Sequence, residues 1–303
     1  MDAVRTPDER FEGLPGWTFA PHYVTVDDGE GGSLRVHYVD EGPASAPPVL
    51  LMHGEPSWGY LYRTMIPPLV AAGHRVIVPD LVGFGRSDKP TQQGDYTYER
   101  HVEWMRQALF DHLDLRGITF FGQDWGGLVG LRLVAEHADR YARVAVGNTG
   151  MPTGEMPMSD AFLAWQTFAR ETETFPVGAI INGGSLSDLP PEVVAAYDAP
   201  FPDDTYLAGA RVFPSLVPTS PDDPAAAANQ AGWASLRQFD RPFLCAFSDG
   251  DQITKGGDAI FRREVPGAAG QAHTTIEGGG HFLQEDQGPA LAAVLIGFIA
   301  ANP

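Results

Sequence analysis

The sequence predicts an α/β protein: a mostly parallel central sheet flanked by helices, with one helical insert. Three observations carry this. Short apolar runs alternate with amphipathic helical stretches through the first 150 residues. Such alternation with short links favours parallel strands covered by helices on both faces. The alternation stops at Gly150 and resumes after Pro221, and the segment between carries short helical stretches broken by Pro and Gly. The expected organisation is a core of residues 1–150 and 222–303 with a helical cap over 151–221.

The elements follow in order. Tyr23 to Val26 and Leu34 to Val39 alternate apolar and polar residues, as a half-buried hairpin does. Val49 to Met52 is a continuous apolar run, suited to a strand buried on both faces. Trp58 to Ala72 reads as helical, bent or broken at Pro67 and Pro68. Val76 to Val78 is a strand, followed by a Gly/Pro loop through Gly94. Thr97 to Leu115 is a helix, with Val102, Met105, Leu109 and Leu113 on one face and Thr97 as N-cap. Ile118 to Phe121 and Val144 to Val146 read as strands around a helix from Gly126 to His137. Ala161 to Arg170 and Pro191 to Tyr197 are helical stretches of the insert. The core resumes with strands at Phe243 to Phe247 and Ala272 to Ile276 and helices at Asp258 to Arg263 and Pro289 to Ala300.

Composition excludes several classes. Of 303 residues, 43% are hydrophobic and 19% charged, ample for a packed core and contrary to disorder. The formal charge of −19 repels phosphate backbones and anionic lipid, so neither nucleic acid nor membrane is an expected partner. No apolar run suits a membrane helix, and the first ten residues lack the apolar stretch of a secretory signal. The sole cysteine, Cys245, lies in an apolar strand, which excludes an internal disulfide and thiolate metal clusters. A cytoplasmic monomer is expected.

Gly122-Gln123-Asp124-Trp125-Gly126-Gly127 lies between an expected strand and helix. This is the G-x-nucleophile-x-G turn, with aspartate as the nucleophile. Small flanking residues let neighbouring backbone approach, and the helix N-terminus favours an anion at Asp124. The strand at 243–247 runs into Ser248-Asp249-Gly250-Asp251, and that at 272–276 into Glu277-Gly278-Gly279-Gly280-His281. Nucleophile, acid and histidine thus stand in chain order at three strand ends, where parallel sheets build sites. Spacing alone leaves Asp249 and Asp251 in competition. After Met52, the loop His53-Gly54-Glu55-Pro56 offers the Glu55 N–H to an oxyanion hole, paired with the N–H of Trp125. His53 itself reads as structural.

Residues 49–90, with His53-Gly54-Glu55-Pro56-Ser57-Trp58 and Pro79-Asp80-Leu81-Val82-Gly83-Phe84-Gly85-Arg86-Ser87, resemble the haloalkane dehalogenases of the α/β-hydrolase superfamily. So do Gln123-Asp124-Trp125-Gly126-Gly127 and Gly280-His281-Phe282-Leu283-Gln284-Glu285, and the resemblance spans essentially the whole chain. It implies an α/β-hydrolase fold, Asp124 as nucleophile, His281 as base, Asp251 as acid, and Trp125 as an indole donor to halide. One branch of the family takes its second halide donor from an Asn where this chain has Glu55, and an ionised carboxylate cannot donate. The resemblance of Phe162-Leu163-Ala164-Trp165 to the other branch's cap implies Trp165 instead. That branch places its acid after the later strand, in line with Asp251 rather than a site near Asn148.

The implied reaction converts a small apolar haloalkane to alcohol, halide and proton through an alkyl ester on Asp124, with no metal or organic cofactor. Phe162, Phe213, Pro214 and Ile253 are expected to line the pocket. The nearest rival is epoxide hydrolysis with Tyr197 or Tyr206 as acid. A different class is a non-catalytic binding module on the same fold, which has no need of the complete Asp124, Asp251 and His281 set.

Overall fold

A computed structural model describes all 303 residues. The chain runs β1 (Ala3–Val4), β2 (His22–Asp27), β3 (Ser33–Glu41), β4 (Pro48–Met52), α1 (Ile66–Ala71), β5 (Arg75–Pro79) and β6 (Lys89–Pro90). It continues with α2 (Tyr98–Arg106), β7 (Ile118–Gln123), α3 (Asp124–Glu136) and β8 (Tyr141–Gly147). Five helices follow: α4 (Asp160–Glu171), α5 (Val177–Gly184), α6 (Pro191–Asp198), α7 (Ala208–Leu216) and α8 (Ala226–Leu236). The chain closes with β9 (Phe243–Ser248), α9 (Asp258–Glu264), β10 (Thr274–Ile276) and α10 (Leu283–Ala301).

Eight strands form the main sheet in the order β10-β9-β8-β7-β4-β5-β3-β2. The β2–β3 hairpin and the β3–β5 pair are antiparallel; all other pairs are parallel. The expected mostly parallel sheet is therefore present. Its register aligns the strand ends that matter: Met52 pairs with Gly122, and Gln123 with Gly147. The central strands read as apolar runs because both faces are covered; Leu50, Val78, Phe120 and Val146 are fully buried.

Local chemistry sets several boundaries. The Thr97 side chain accepts from the Arg100 N–H at 3.1 Å and caps α2, which passes into a π-helical segment at Gln107–His112. Between 58 and 72 the structure differs from the single bent helix expected. A 3-10 turn at Gly59–Tyr62 precedes α1, and Pro67 and Pro68 lie in the first turn of α1, where their missing N–H groups cost nothing. Helix α3 begins at Asp124, two residues earlier than its apolar pattern suggests. Helix α10 begins at Leu283, six residues before Pro289, and carries a kink at Gln287. No strand lies between β8 and β9. No helix is long and apolar enough to cross a membrane.

A buried aspartate fixes the loop after β5. The Asp80 carboxylate accepts from the Gly59 N–H at 2.7 Å, the Arg86 N–H at 2.8 Å and His37 Nδ1 at 2.7 Å. Asp80→Ala should cost about 3–5 kcal/mol, because it strands these donors in the core. Urea unfolding of the variant reads this directly; a loss below about 1 kcal/mol would contradict the assigned role.

Candidate active site

Strand β7 gives way to α3 within one residue, and Asp124 takes the whole change of direction at φ +50°. A non-glycine residue there is strained by about 1–3 kcal/mol, which surrounding contacts must offset. The Asp124 N–H donates to Asn148 O at 3.0 Å, and the Thr149 hydroxyl donates to Asp124 O at 2.7 Å. Gly126 must be glycine because a Cβ there would collide with the Met52 carbonyl. The carboxylate projects from the N-terminus of α3, and its Oδ1 accepts from the Glu55 N–H at 2.7 Å. Of the two backbone donors expected at this carboxylate, Glu55 makes its bond, whereas the Trp125 N–H makes none.

His281 lies between two carboxylates. Its Nε2 is 3.6 Å from Asp124 Oδ2, and its Nδ1 is 3.2 Å from Asp251 Oδ2. Asp251 is held by the Ile253 N–H at 2.8 Å, the Thr254 N–H at 3.2 Å and the Thr254 hydroxyl. Burial disfavours its charge, but His281 and these donors outweigh that and hold it below the usual carboxylate range. Burial likewise disfavours a charged His281, yet Asp251 and Asp124 overcome it and raise the imidazole above the usual histidine range. Asp249 is directed elsewhere, accepting from the Gly278 N–H at 2.9 Å. His53 is buried structurally: its Nε2 accepts from the Leu81 N–H and its Nδ1 lies 3.0 Å from Gly54 O.

These groups open into a cavity of about 650 Å³ lined by Glu55, Asp124, Trp125, Phe162, Trp165 and His281, among others. Pro214 and Ile253 also line it. Phe213 does not. It is fully buried behind the wall, its ring 4.6 Å from Trp125 and 4.8 Å from Phe84, because the inner face of α7 packs on the core. Tyr197 and Tyr206 are also absent from the lining, and the Tyr197 hydroxyl donates to Glu285. The Glu55 side chain is buried, and burial together with the Asp124 charge pushes its carboxyl well above the usual range, while the Trp165 indole beside it opposes the shift. The charged form of Glu55 is thus disfavoured. The sequence reading treated it as an ionised group.

Residues 47–287 match the family model of the α/β-hydrolase fold. A haloalkane dehalogenase from Psychrobacter cryohalolentis is 59% identical over the whole of both chains, and haloalkane dehalogenase 1 of Mycobacterium tuberculosis is 55% identical over the same extent. The chain belongs to the haloalkane dehalogenases. The solved tetrameric haloalkane dehalogenase from Paraglaciecola agarilytica is 36% identical, covers 99% of each chain and superposes with a TM-score of 0.90. As a member of this family the chain is a hydrolase of carbon–halide bonds, and the epoxide reading is not favoured.

Two residues of this dehalogenase site escaped the motif reading. Asn148, at φ +43°, donates to Ser248 Oγ at 2.8 Å, Gly280 O at 2.9 Å and His281 O at 3.1 Å. It thus ties the ends of β8 and β9 to the histidine loop. The available signal was an Asn at a strand end, a residue type that tolerates left-handed backbone. Gln123, beside His281, drew notice only as part of a motif.

The raised Glu55 carboxyl gives a pH prediction. A carboxyl raised in the folded state contributes its stability below the unfolded value near 4.5 and loses it as pH rises through the folded value. Glu55→Gln, which mimics the neutral acid, should therefore stabilise the protein increasingly above about pH 4.5. Urea unfolding at pH 4 and pH 8 measures this; an equal effect at both would show Glu55 to be charged in the fold.

Proposed function

We propose that this dehalogenase works by covalent catalysis on Asp124, and that it belongs to the branch with a cap tryptophan donor and its acid after the later strand. The observation that carries the reading is that Trp125 and Trp165 line the same cavity as the Asp124 carboxylate. An Asp124 oxygen attacks the sp³ carbon, a C–O bond forms, and the C–halogen pair leaves as halide. No proton is required, since halide is already a good leaving group. Two indole N–H groups, each a donor with no acceptor, offset the anion's charge in an apolar setting.

Water then attacks the Asp124 carboxyl carbon. His281 takes its proton, and Asp251 orients and stabilises the imidazolium. The Glu55 and Trp125 N–H groups are assigned to the resulting oxyanion; one such donor is worth about 10²–10³ in rate. Collapse breaks the bond to the alkyl oxygen, which takes the remaining proton of the added hydroxyl, so the alcohol is freed and the carboxylate restored. The charge balance around His281 supports the order of events. Esterification removes the Asp124 charge that helps hold the imidazole protonated, so the base is freed once there is an ester to hydrolyse.

The helices of residues 151–221 are proposed as the cap that closes this cavity; Phe162 and Trp165 of α4 and Pro214 of α7 reach it from that side. A monomer is proposed for the assembly, supported by self-repulsion at a net charge of −19. A cytoplasmic setting is proposed from a single, buried cysteine. Light scattering on the eluted protein reads the assembly, and a tetramer there removes the monomer reading.

One turnover in ¹⁸O-labelled water should place the heavy oxygen in the Asp124 peptide and none in the alcohol; the reverse would exclude the ester. His281→Phe should accumulate an alkyl adduct visible in intact-protein mass. In the wild type, rapid mixing with a pH indicator should show protons released in step with halide. His281→Phe should lack that phase, and proton release in step with alcohol would contradict the assigned charge balance. Trp165→Phe should weaken chloride or bromide binding by about tenfold, the worth of one hydrogen bond to an ion. Unchanged indole quenching would move the second donor elsewhere.

A further inference from the structure

Gln123 is the last residue of β7 and is fully buried, immediately before the nucleophile. Its amide turns toward His281. The Nε2 atom donates to His281 O at 3.1 Å and lies 3.2 Å from the imidazole Nε2, while Oε1 is buried without a partner. The carbonyl contact decides which end of the amide faces the histidine. An amide oxygen there would oppose a carbonyl oxygen, acceptor against acceptor. An N–H therefore points at the imidazole Nε2, and it bonds that nitrogen only when the nitrogen carries a lone pair. We propose that Gln123 is a positioning residue that selects neutral His281 with its proton on Nδ1 and its lone pair on Nε2, the form that takes a proton from water.

Three carboxyl groups bear on the same imidazole. Asp251 faces Nδ1 at 3.2 Å, Asp124 faces Nε2 at 3.6 Å, and Glu55, in the loop after β4, also couples to the imidazole. Lys255 lines the same cavity. Asp251 and Asp124 favour the imidazolium, and Gln123 opposes it. In the alkyl-enzyme the Asp124 charge is gone, and the Gln123 donor then counts for more. With the proton on Nδ1 it faces Asp251 at 3.2 Å, and the water displaces the Gln123 N–H from the single Nε2 lone pair as it gives up its proton. This inference rests on the ester mechanism proposed above, and the two fail in different ways.

The test is single-turnover hydrolysis of the alkyl-enzyme across pH in the wild type, Gln123→Met and Gln123→Glu. Heavy oxygen from ¹⁸O-labelled water in the Asp124 peptide is read first; without it the ester mechanism falls, and this inference with it. Given that label, the pH inflection of ester hydrolysis should rise by about one unit in Gln123→Met, the size of one ordinary hydrogen bond. It should rise further in Gln123→Glu, whose carboxylate accepts from the imidazolium. A rate lowered equally at every pH, with the inflection unmoved, overturns the proposal and leaves Gln123 as a strut between β7 and the histidine loop. The wild-type protein supplies a second readout. With ¹⁵N-labelled histidine, alkaline spectra should assign the His281 proton to Nδ1; a proton on Nε2 overturns the proposal without any variant.

Discussion

The site depends on one backbone constraint: a buried parallel strand must become a helix in a single residue. Asp124 makes that change at positive φ, with its N–H on Asn148 O and its carbonyl receiving the Thr149 hydroxyl. Glycines on either side let α3 start hard against the end of β4. The strained residue is thereby pinned, with its side chain lifted clear of the sheet. Were the turn looser, the carboxylate would rest against the strand and meet neither the Glu55 N–H nor His281.

The partners of that carboxylate come from other strand ends, and the structure ties those ends together. Asn148 bridges β8, β9 and the histidine loop, while the His281 N–H donates to Gly184 O at the end of α5. Asp286 accepts from both the Gly280 N–H and the Leu186 N–H. The end of α5 and the residues after it thus meet the histidine loop and the start of α10. That explains how a site assembled from segments far apart in sequence keeps interatomic distances of 3.2 and 3.6 Å around one imidazole.

Electrostatics at the site is local. The whole chain carries −19, yet the reaction assigned to it produces an anion. Surface charges are screened within about 8–10 Å at ordinary salt. Indole and backbone N–H groups lining the cavity are not, and in the proposed mechanism they rather than net charge decide whether halide is tolerated. Burial likewise disfavours the charge on Glu55, which a count of acidic residues treats as one more full negative charge.

The strands and the main helices were legible because their apolar periodicities reflect which faces are buried. The elbow was legible because only glycine-flanked sequences make that turn. The extents of α1, α3 and α10 were not, since prolines in a first turn and a strained residue opening a helix obey contacts outside the element. Phe213 looked like a wall residue from its place in the insert, and only packing against Trp125 and Phe84 put it behind the wall. Sequence by itself determined the fold class, the order of Asp124, Asp251 and His281 at strand ends, and the resemblance that located the family, because these depend on residue type and spacing along the chain. Spacing left Asp249 and Asp251 open and the resemblance implied Asp251; tertiary structure places Asp251 against the imidazole, and it alone decided that burial raises the Glu55 carboxyl and that Asn148 and Gln123 hold the histidine loop. Those outcomes depend on distance and burial between segments well separated along the chain, which periodicity does not record.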